Sequence, residues 1–260
     1  MELAKVAYSV SGSIAHVTLN NPGQLNAVDL AMATELERAL ATATADPGVR
    51  VVLLSGAGKA FCAGGDVAWF AEQLESGEFD VATLVRTLGR VAVLIRTMPK
   101  PVVASVHRSA AGAGMGLAML ADFCVASDDA SFVTAFSRVG LASDTGVGYL
   151  LTRRLGHLRA AELLMGGRAL SAPDAYRLGL ITAVVPADEL SQATVDLIGS
   201  LLAGPRVALA AIKQQIWQAQ FAGFDRYLEQ EVELQAACIA DPDFAEGLAA
   251  FAERRPPCFS

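Results

Sequence analysis

Val49–Asp66 reads VRVVLLSGAGKAFCAGGD. Its first six residues, Val49–Leu54, predict a strand of the kind buried on both faces of a sheet. Ser55–Gly65 is a glycine-rich loop, and Asp66 is placed to start a helix. A strand, a glycine-rich loop and a helix, in that order, put backbone N–H groups and a helix N-terminus at the carboxyl edge of a sheet. Negative charge is stabilised there. The order recurs in Pro101–Val106, the small-residue loop Arg108–Gly114 and a helix through Leu120, and a third strand is expected at Asp122–Ala126. Strand alternating with helix predicts an α/β fold, a largely parallel sheet covered by helices.

Working outward, Val6–Val10 and Ile14–Leu19 predict a hairpin around Ser11-Gly12-Ser13, and Asn20–Gly23 a turn. Asp29 is placed to cap a helix to about Ala45, with Met32, Leu36 and Leu40 on one face, ended by Asp46-Pro47-Gly48. Asp80 starts another, to about Met98. Beyond Gly140 the pattern is helical, apart from a short strand at Ile181–Val185. Four helical segments close the chain: Gln192–Ala203, Pro205–Ala222, Phe224–Ala240 and Pro242–Ala252. Gly204-Pro205 divides a core domain, 1–203, from a C-terminal helical module, 204–260.

Composition narrows the function. In 260 residues, 53% are apolar and 18% charged, which predicts a sizeable core and excludes wholesale disorder. A net charge of −7 disfavours nucleic acid or an anionic membrane surface as partner. The longest apolar stretches carry Gly, Asp or Arg, so no membrane span is expected. Met1–Ser11 lacks a long apolar run, so no signal peptide is expected. Cys62, Cys124, Cys238 and Cys258 form no C-x-x-C pair, which makes a cytoplasmic location the expectation. His16, His107 and His157 lack metal-ligand spacing, and no metal is expected.

Two phosphate-binding motifs fail on single residues. Leu53 stands where a P-loop needs its first Gly, and Ala60 where it needs Ser or Thr. Gly112–Leu117 has Leu at the third glycine of G-x-G-x-x-G. On the loops alone, glycines kept for close helix packing remain the alternative.

Longer motifs decide more. Lys59–Asp66 (KAFCAGGD) resembles the F-[CSA]-x-G-x-D signature of the crotonase (enoyl-CoA hydratase/isomerase) superfamily. Lys100–Ala104 followed by Ala110–Gly114 resembles its second signature, and Asn21–Ala27, Ala121–Phe123 and Leu170–Val185 resemble further family segments. The resemblance covers nearly the whole chain. It implies a spiral of ββα turns with a C-terminal helical module. It also implies an acyl-CoA substrate whose thioester oxyanion is held by two backbone N–H groups, those of Gly65 and Ala113. Such fixed donors are worth about 2.7–4 kcal/mol each at the transition state. Ala63, Gly64, Gly65, Asp66, Val67, Gly112, Ala113 and Phe136 are then expected to line the substrate site. Gln24, Leu25 and Ala27 would meet the adenine, and Lys59 and Lys213 the CoA phosphates. Asp66 reads as a helix cap rather than a base. No cofactor is implied beyond the coenzyme A carried by the substrate. A homotrimer or hexamer is expected.

The acid/base residue separates the chemistries. Hydratases of the family use two glutamates, and the matching positions here are Gly116 and Phe136, which transfer no proton. Phe132–Gly146 instead resembles the F-x-x-A-F-x-x-[IV]-G-L-x-x-D-x-G stretch of 1,2-epoxyphenylacetyl-CoA and enoyl-CoA isomerases, in which the Asp is the acid/base. That makes Asp144 the candidate. Read locally, Asp144 is better suited to cap a helix beginning near Gly146, and the resemblance reverses that preference. A 4-chlorobenzoyl-CoA dehalogenase carries its nucleophile at the same place, but also uses a His and an indole. Phe136 occupies the indole position, and no His lies between Asp66 and Lys100. The expected activity is isomerisation of a 3-enoyl-CoA. The alternatives are a hydratase with an atypical water-activating group and a non-catalytic acyl-CoA-binding scaffold.

Other residues read as structural. These are His107 at a strand end, Cys62 without thiol chemistry, and Met115, Leu117 and Met119 in the core. Trp69 and Phe70 are expected to pack the acyl pocket or its helix, and Glu72, Glu75 and Glu78 to form a solvated face.

Overall fold

A computed structural model describes residues 3–77 and 80–260, so Glu78 lies outside the described residues. β1 (Val6–Ser11) and β2 (Ile14–Leu19) form the expected hairpin, with Ser11 opposite Ile14. The turn needs a positive φ, 57° at Gly12, which glycine adopts without steric cost. α1 (Leu30–Ala45) starts where the Asp29 carboxylate accepts the Met32 amide at 2.8 Å, and buries Met32, Leu36 and Leu40.

β3 (Val51–Gly56) leads to α2 (Val67–Ser76), and α3 (Val81–Thr97) to β4 (Val102–Val106). Next come β5 (Ser109–Ala111), α4 (Ala113–Leu120), β6 (Phe123–Ser127) and β7 (Ser131–Val133). α5 (Val147–Leu155), α6 (His157–Gly166), β8 (Leu170–Ser171), α7 (Ala172–Arg177) and β9 (Ala183–Val185) follow. The chain closes with α8 (Leu190–Ala203), α9 (Arg206–Gln220), α10 (Phe224–Ile239) and α11 (Pro242–Glu253).

The larger sheet has the order β1-β2-β3-β4-β6-β9 and is parallel beyond the first hairpin. A second sheet, β5-β7-β8, was not expected, and β5 occupies the stretch read as the Arg108–Gly114 loop. Its strands span two or three residues, too short to display an alternation. The Cys62–Ala110 bridge ties the first glycine-rich loop to β5 of this layer, and the Val28–Gly65 bridge ties it to the segment before α1.

Helices cover both faces. Ile198 and Leu201 of α8 pack on Val51 and Val103, while α1, α3 and α4 bury the other side. α9 leaves α8 at 108°, the bend falling at Gly204-Pro205. α10 then packs along α3 through Val81, Val85 and Val232, and α11 reaches α2 and a 3-10 turn, Phe136–Val139. The last two helices therefore fold back over the loops at the carboxyl edge of the sheet.

Candidate active site

Asn26 begins the site. It is fully buried, and its side-chain amide donates to the carbonyls of Ala57, Ala60 and Phe61 while its oxygen accepts the Asn21 amide. This fastens the loop carrying Gln24 and Leu25 to the first glycine-rich loop. That loop is fixed in turn by Phe61 and Cys62 amides donating to His107 and Ser109, and by Ala111 donating back to Cys62. Gly64 turns there at φ 100°, with the Ala111 carbonyl 3.0 Å from where a Cβ would stand, so an L side chain fails on both counts.

Two amides result. The Val28–Gly65 bridge uses the Gly64 carbonyl and the Asp66 amide and leaves the Gly65 N–H outside it. Ala113 is the first residue of α4, where an N–H has no intrahelical acceptor and the helix dipole is positive. Asp66 accepts the Trp69 amide at 3.1 Å, the cap expected of it.

A cavity of about 470 Å³ opens over these amides. Gln24, Leu25, Ala27, Ala63, Gly64, Gly65, Asp66, Val67, Gly112, Ala113, Phe136 and Asp144 all line it. Phe70, Leu84, Leu88, Leu141 and Phe251 complete an apolar wall that the sequence did not single out. Trp69 packs on the core and against the Phe70 ring, 5.6 Å between centroids.

Lys213 is not in this site. Its ammonium is ion-paired with Asp122 at 2.6 Å and donates to the Ile95 and Lys100 carbonyls, in a separate cavity with Arg96 and Arg154. With three acceptors and 7% exposure it has no capacity left for a phosphate, which corrects the CoA contact expected of it. Lys59 stays exposed, one residue after Gly58, which abuts Pro22. His107 bonds the Gly58 carbonyl at 3.1 Å, and burial pushes the Cys62 thiol up to about 12. Met115, Leu117 and Met119 are buried, and Glu72 and Glu75 are exposed.

Asp144 lines the same cavity as the amides, with Phe136 and Leu141. Its carboxylate caps nothing. α5 begins at Val147 behind Gly146, with no side-chain cap, and the Val147 amide goes to the Asp144 carbonyl. The carboxylate accepts instead from the Thr145 hydroxyl at 2.8 Å and the Gln235 amide at 3.1 Å. Two hydrogen bonds favour its ionised form, but burial outweighs them and pushes the carboxyl up to about 6. A carboxylate tuned toward neutrality is suited to take and return a proton at working pH.

Gly116 explains the absent glutamate. A Cβ there would lie 2.9 Å from Thr145 Cβ and Cγ2, so the Asp144 loop fills the space a side chain would need. Phe136 is buried with its ring over Gly112.

The fold thus brings the Gly65 and Ala113 amides and the Asp144 carboxyl to the lining of one cavity. The family profile described as Enoyl-CoA hydratase/isomerase matches residues 9–260, and the protein belongs to that family, the crotonase superfamily. A trans-2-decenoyl-[acyl-carrier-protein] isomerase of Streptococcus mutans is 36% identical, over 100% of this chain and 99% of its own. The 1,2-epoxyphenylacetyl-CoA isomerase of Escherichia coli is 34% identical, over 96% of each chain. The crystal structure of an enoyl-CoA hydratase from Mycobacterium avium subsp. paratuberculosis superposes with a TM-score of 0.91 at 34% identity, covering 100% of both chains.

Proposed function

We propose that the protein isomerises an unsaturated acyl-CoA, moving a 3,4 double bond into conjugation with the thioester. The Asp144 carboxylate removes a proton from C2. The electron pair passes into the C1–C2 bond and the carbonyl oxygen, whose negative charge meets the Gly65 and Ala113 N–H groups. The protonated Asp144 delivers the proton to C4, the double bond settles between C2 and C3, and the thioester carbonyl re-forms. Nothing is added or lost, so one acid/base suffices.

The observation that carries this reading is the disposition of carboxyls. Among the described residues lining the cavity they are Asp66 and Asp144, and Asp66 is committed to capping α2. Hydration through paired glutamates is disfavoured by Gly116 and Phe136, the first of which has no room for a side chain. The two isomerases described above support the same choice. A cytoplasmic homotrimer or hexamer is proposed with it. The exposed Val207, Ile212 and Ile216 of α9, in the proposed 204–260 module, supply apolar surface for assembly.

The test is incubation with a 3-enoyl-CoA in deuterium oxide. The expected result is a conjugated 2-enoyl-CoA, carrying deuterium to the extent that the Asp144 proton exchanges with solvent before its delivery to C4. No conjugation and no α-exchange, with acyl-CoA still bound, would exclude the isomerase and leave the hydratase and the binding scaffold.

A further inference from the structure

Two buried polar side chains of α10 meet the Asp144 segment. Gln235, 1% exposed, donates to Asp144 and to the Ala142 carbonyl, the latter at 2.7 Å. Glu231, 2% exposed, accepts the Gly146 amide through both oxygens, at 3.1 and 3.2 Å. The titratable groups facing Glu231 are Asp144 from the loop and Tyr227 from its own helix. α3 meets this helix with Val81 and Val85, while its Arg90 is paired with Glu37 and its Arg86 lines a surface groove with Asp225 and Glu229. Thus one amide and no cation offsets charge at Glu231 among the described residues.

We propose that Glu231 is a positioning residue for Asp144: neutral in the working enzyme, it anchors the Asp144 loop through the Gly146 amide, and its ionisation ends activity on the alkaline side. The proposal rests on Asp144 being the acid/base. Two observations support the neutral form. Burial and the neighbouring Asp144 charge push Glu231 up to about 9, above Asp144 at about 6, so the pair loses its protons in two steps. Glu231 meets the loop through one backbone amide, and no cation is paired with it among the described residues, so nothing there compensates an ionised carboxylate. Between the two steps the pair holds one proton and one negative charge, and we place that charge on Asp144, the residue that lines the cavity. Above the second step two adjacent carboxylates repel, and the loop that carries Asp144 loses its anchor.

Glu231→Gln tests this, because glutamine keeps the shape and still accepts the Gly146 N–H but cannot ionise. Isomerisation of a 3-enoyl-CoA is measured against pH for the parent, Glu231→Gln and Asp144→Asn, with melting temperature as a second readout. Glu231→Gln should match the parent at neutral pH and keep its acid limb, but lose the fall in turnover near about pH 9. The sign for stability follows from a folded pKa raised above the usual 4.5. Glu231's contribution to stability is fully present below that value and is lost as pH rises toward about 9, and the glutamine variant should escape much of that loss. An alkaline limb unchanged in Glu231→Gln overturns the proposal. So does an acid limb shifted to lower pH, which would mean that Glu231 was already charged. Full activity in Asp144→Asn would instead sink the acid/base assignment itself, so the two failures are distinguishable.

Discussion

The two sides of the cavity are built by opposite means. The donors on the amide side are backbone groups: Gly65 on a loop and Ala113 at the start of α4, laced together by the Cys62, Ser109 and Ala111 peptide groups and pinned by the neutral Asn26 side chain. The carboxyl side is governed by side chains, with backbone groups of the Asp144 loop as their partners. Asp144 is held by Gln235, 91 residues further on, and faced by Glu231 from the same distant helix. Fixed donors need rigidity, and a local ladder of main-chain bonds supplies it. A base needs a dry environment that shifts its proton affinity, and only a helix returning from elsewhere in the chain can cover it. The first side should be indifferent to pH and the second governed by it.

Substitutions can break this contrast. The largest effect belongs to Asp144→Asn, which keeps shape and acceptor oxygen but takes no proton. Turnover of a 3-enoyl-CoA should fall by about 10²–10⁴. Ala113→Pro should cost about 10²–10³ by deleting one oxyanion donor. Proline is tolerated at the first position of a helix, so α4 should survive, and circular dichroism checks that it does. A folded Ala113→Pro with parent activity would remove the amide from the mechanism.

Smaller effects sharpen the contrast. Parent turnover should decline as pH drops through about 6, where Asp144 becomes protonated and can no longer accept the C2 proton. Ala113→Pro should decline over the same range, because the amide side does not titrate. Gly116→Ala forces a Cβ against Thr145 and should cost about 1–3 kcal/mol of stability in a denaturant titration, with the Asp144 loop displaced. Hydration of crotonyl-CoA should stay at a trace rate, and robust formation of the 3-hydroxy product would point to another water-positioning group.

The same contrast governs what the sequence could disclose. The amide side was legible because Phe61–Asp66 and Ala110–Gly114 are contiguous motifs whose glycines the backbone path requires. Asp144 was legible as a residue but ambiguous in role, since Ser143-Asp144-Thr145 has the chemistry of a cap. Coordinates were needed to find its carbonyl, not its carboxylate, at the start of α5. Glu231 and Gln235 went unread. They sit on the face defined by Phe224, Leu228 and Val232, and polar residues on an apolar face were the available signal. Lys213 misled for the converse reason: a helical lysine reads as solvated until Asp122 and two carbonyls are found around it. The strands β5, β7 and β8 take their identity from their partners rather than from any pattern of their own.

The most direct test of a single carboxyl working against two amides is α-proton exchange by folded, acyl-CoA-bound Asp144→Asn in deuterium oxide. A non-isomerisable saturated acyl-CoA is the probe, so exchange at C2 is read without the later proton delivery. The parent should incorporate deuterium at C2 and Asp144→Asn should not, with acyl-CoA affinity nearly unchanged. Exchange by the variant at the parent rate would contradict the account and send the search for the base elsewhere in the cavity.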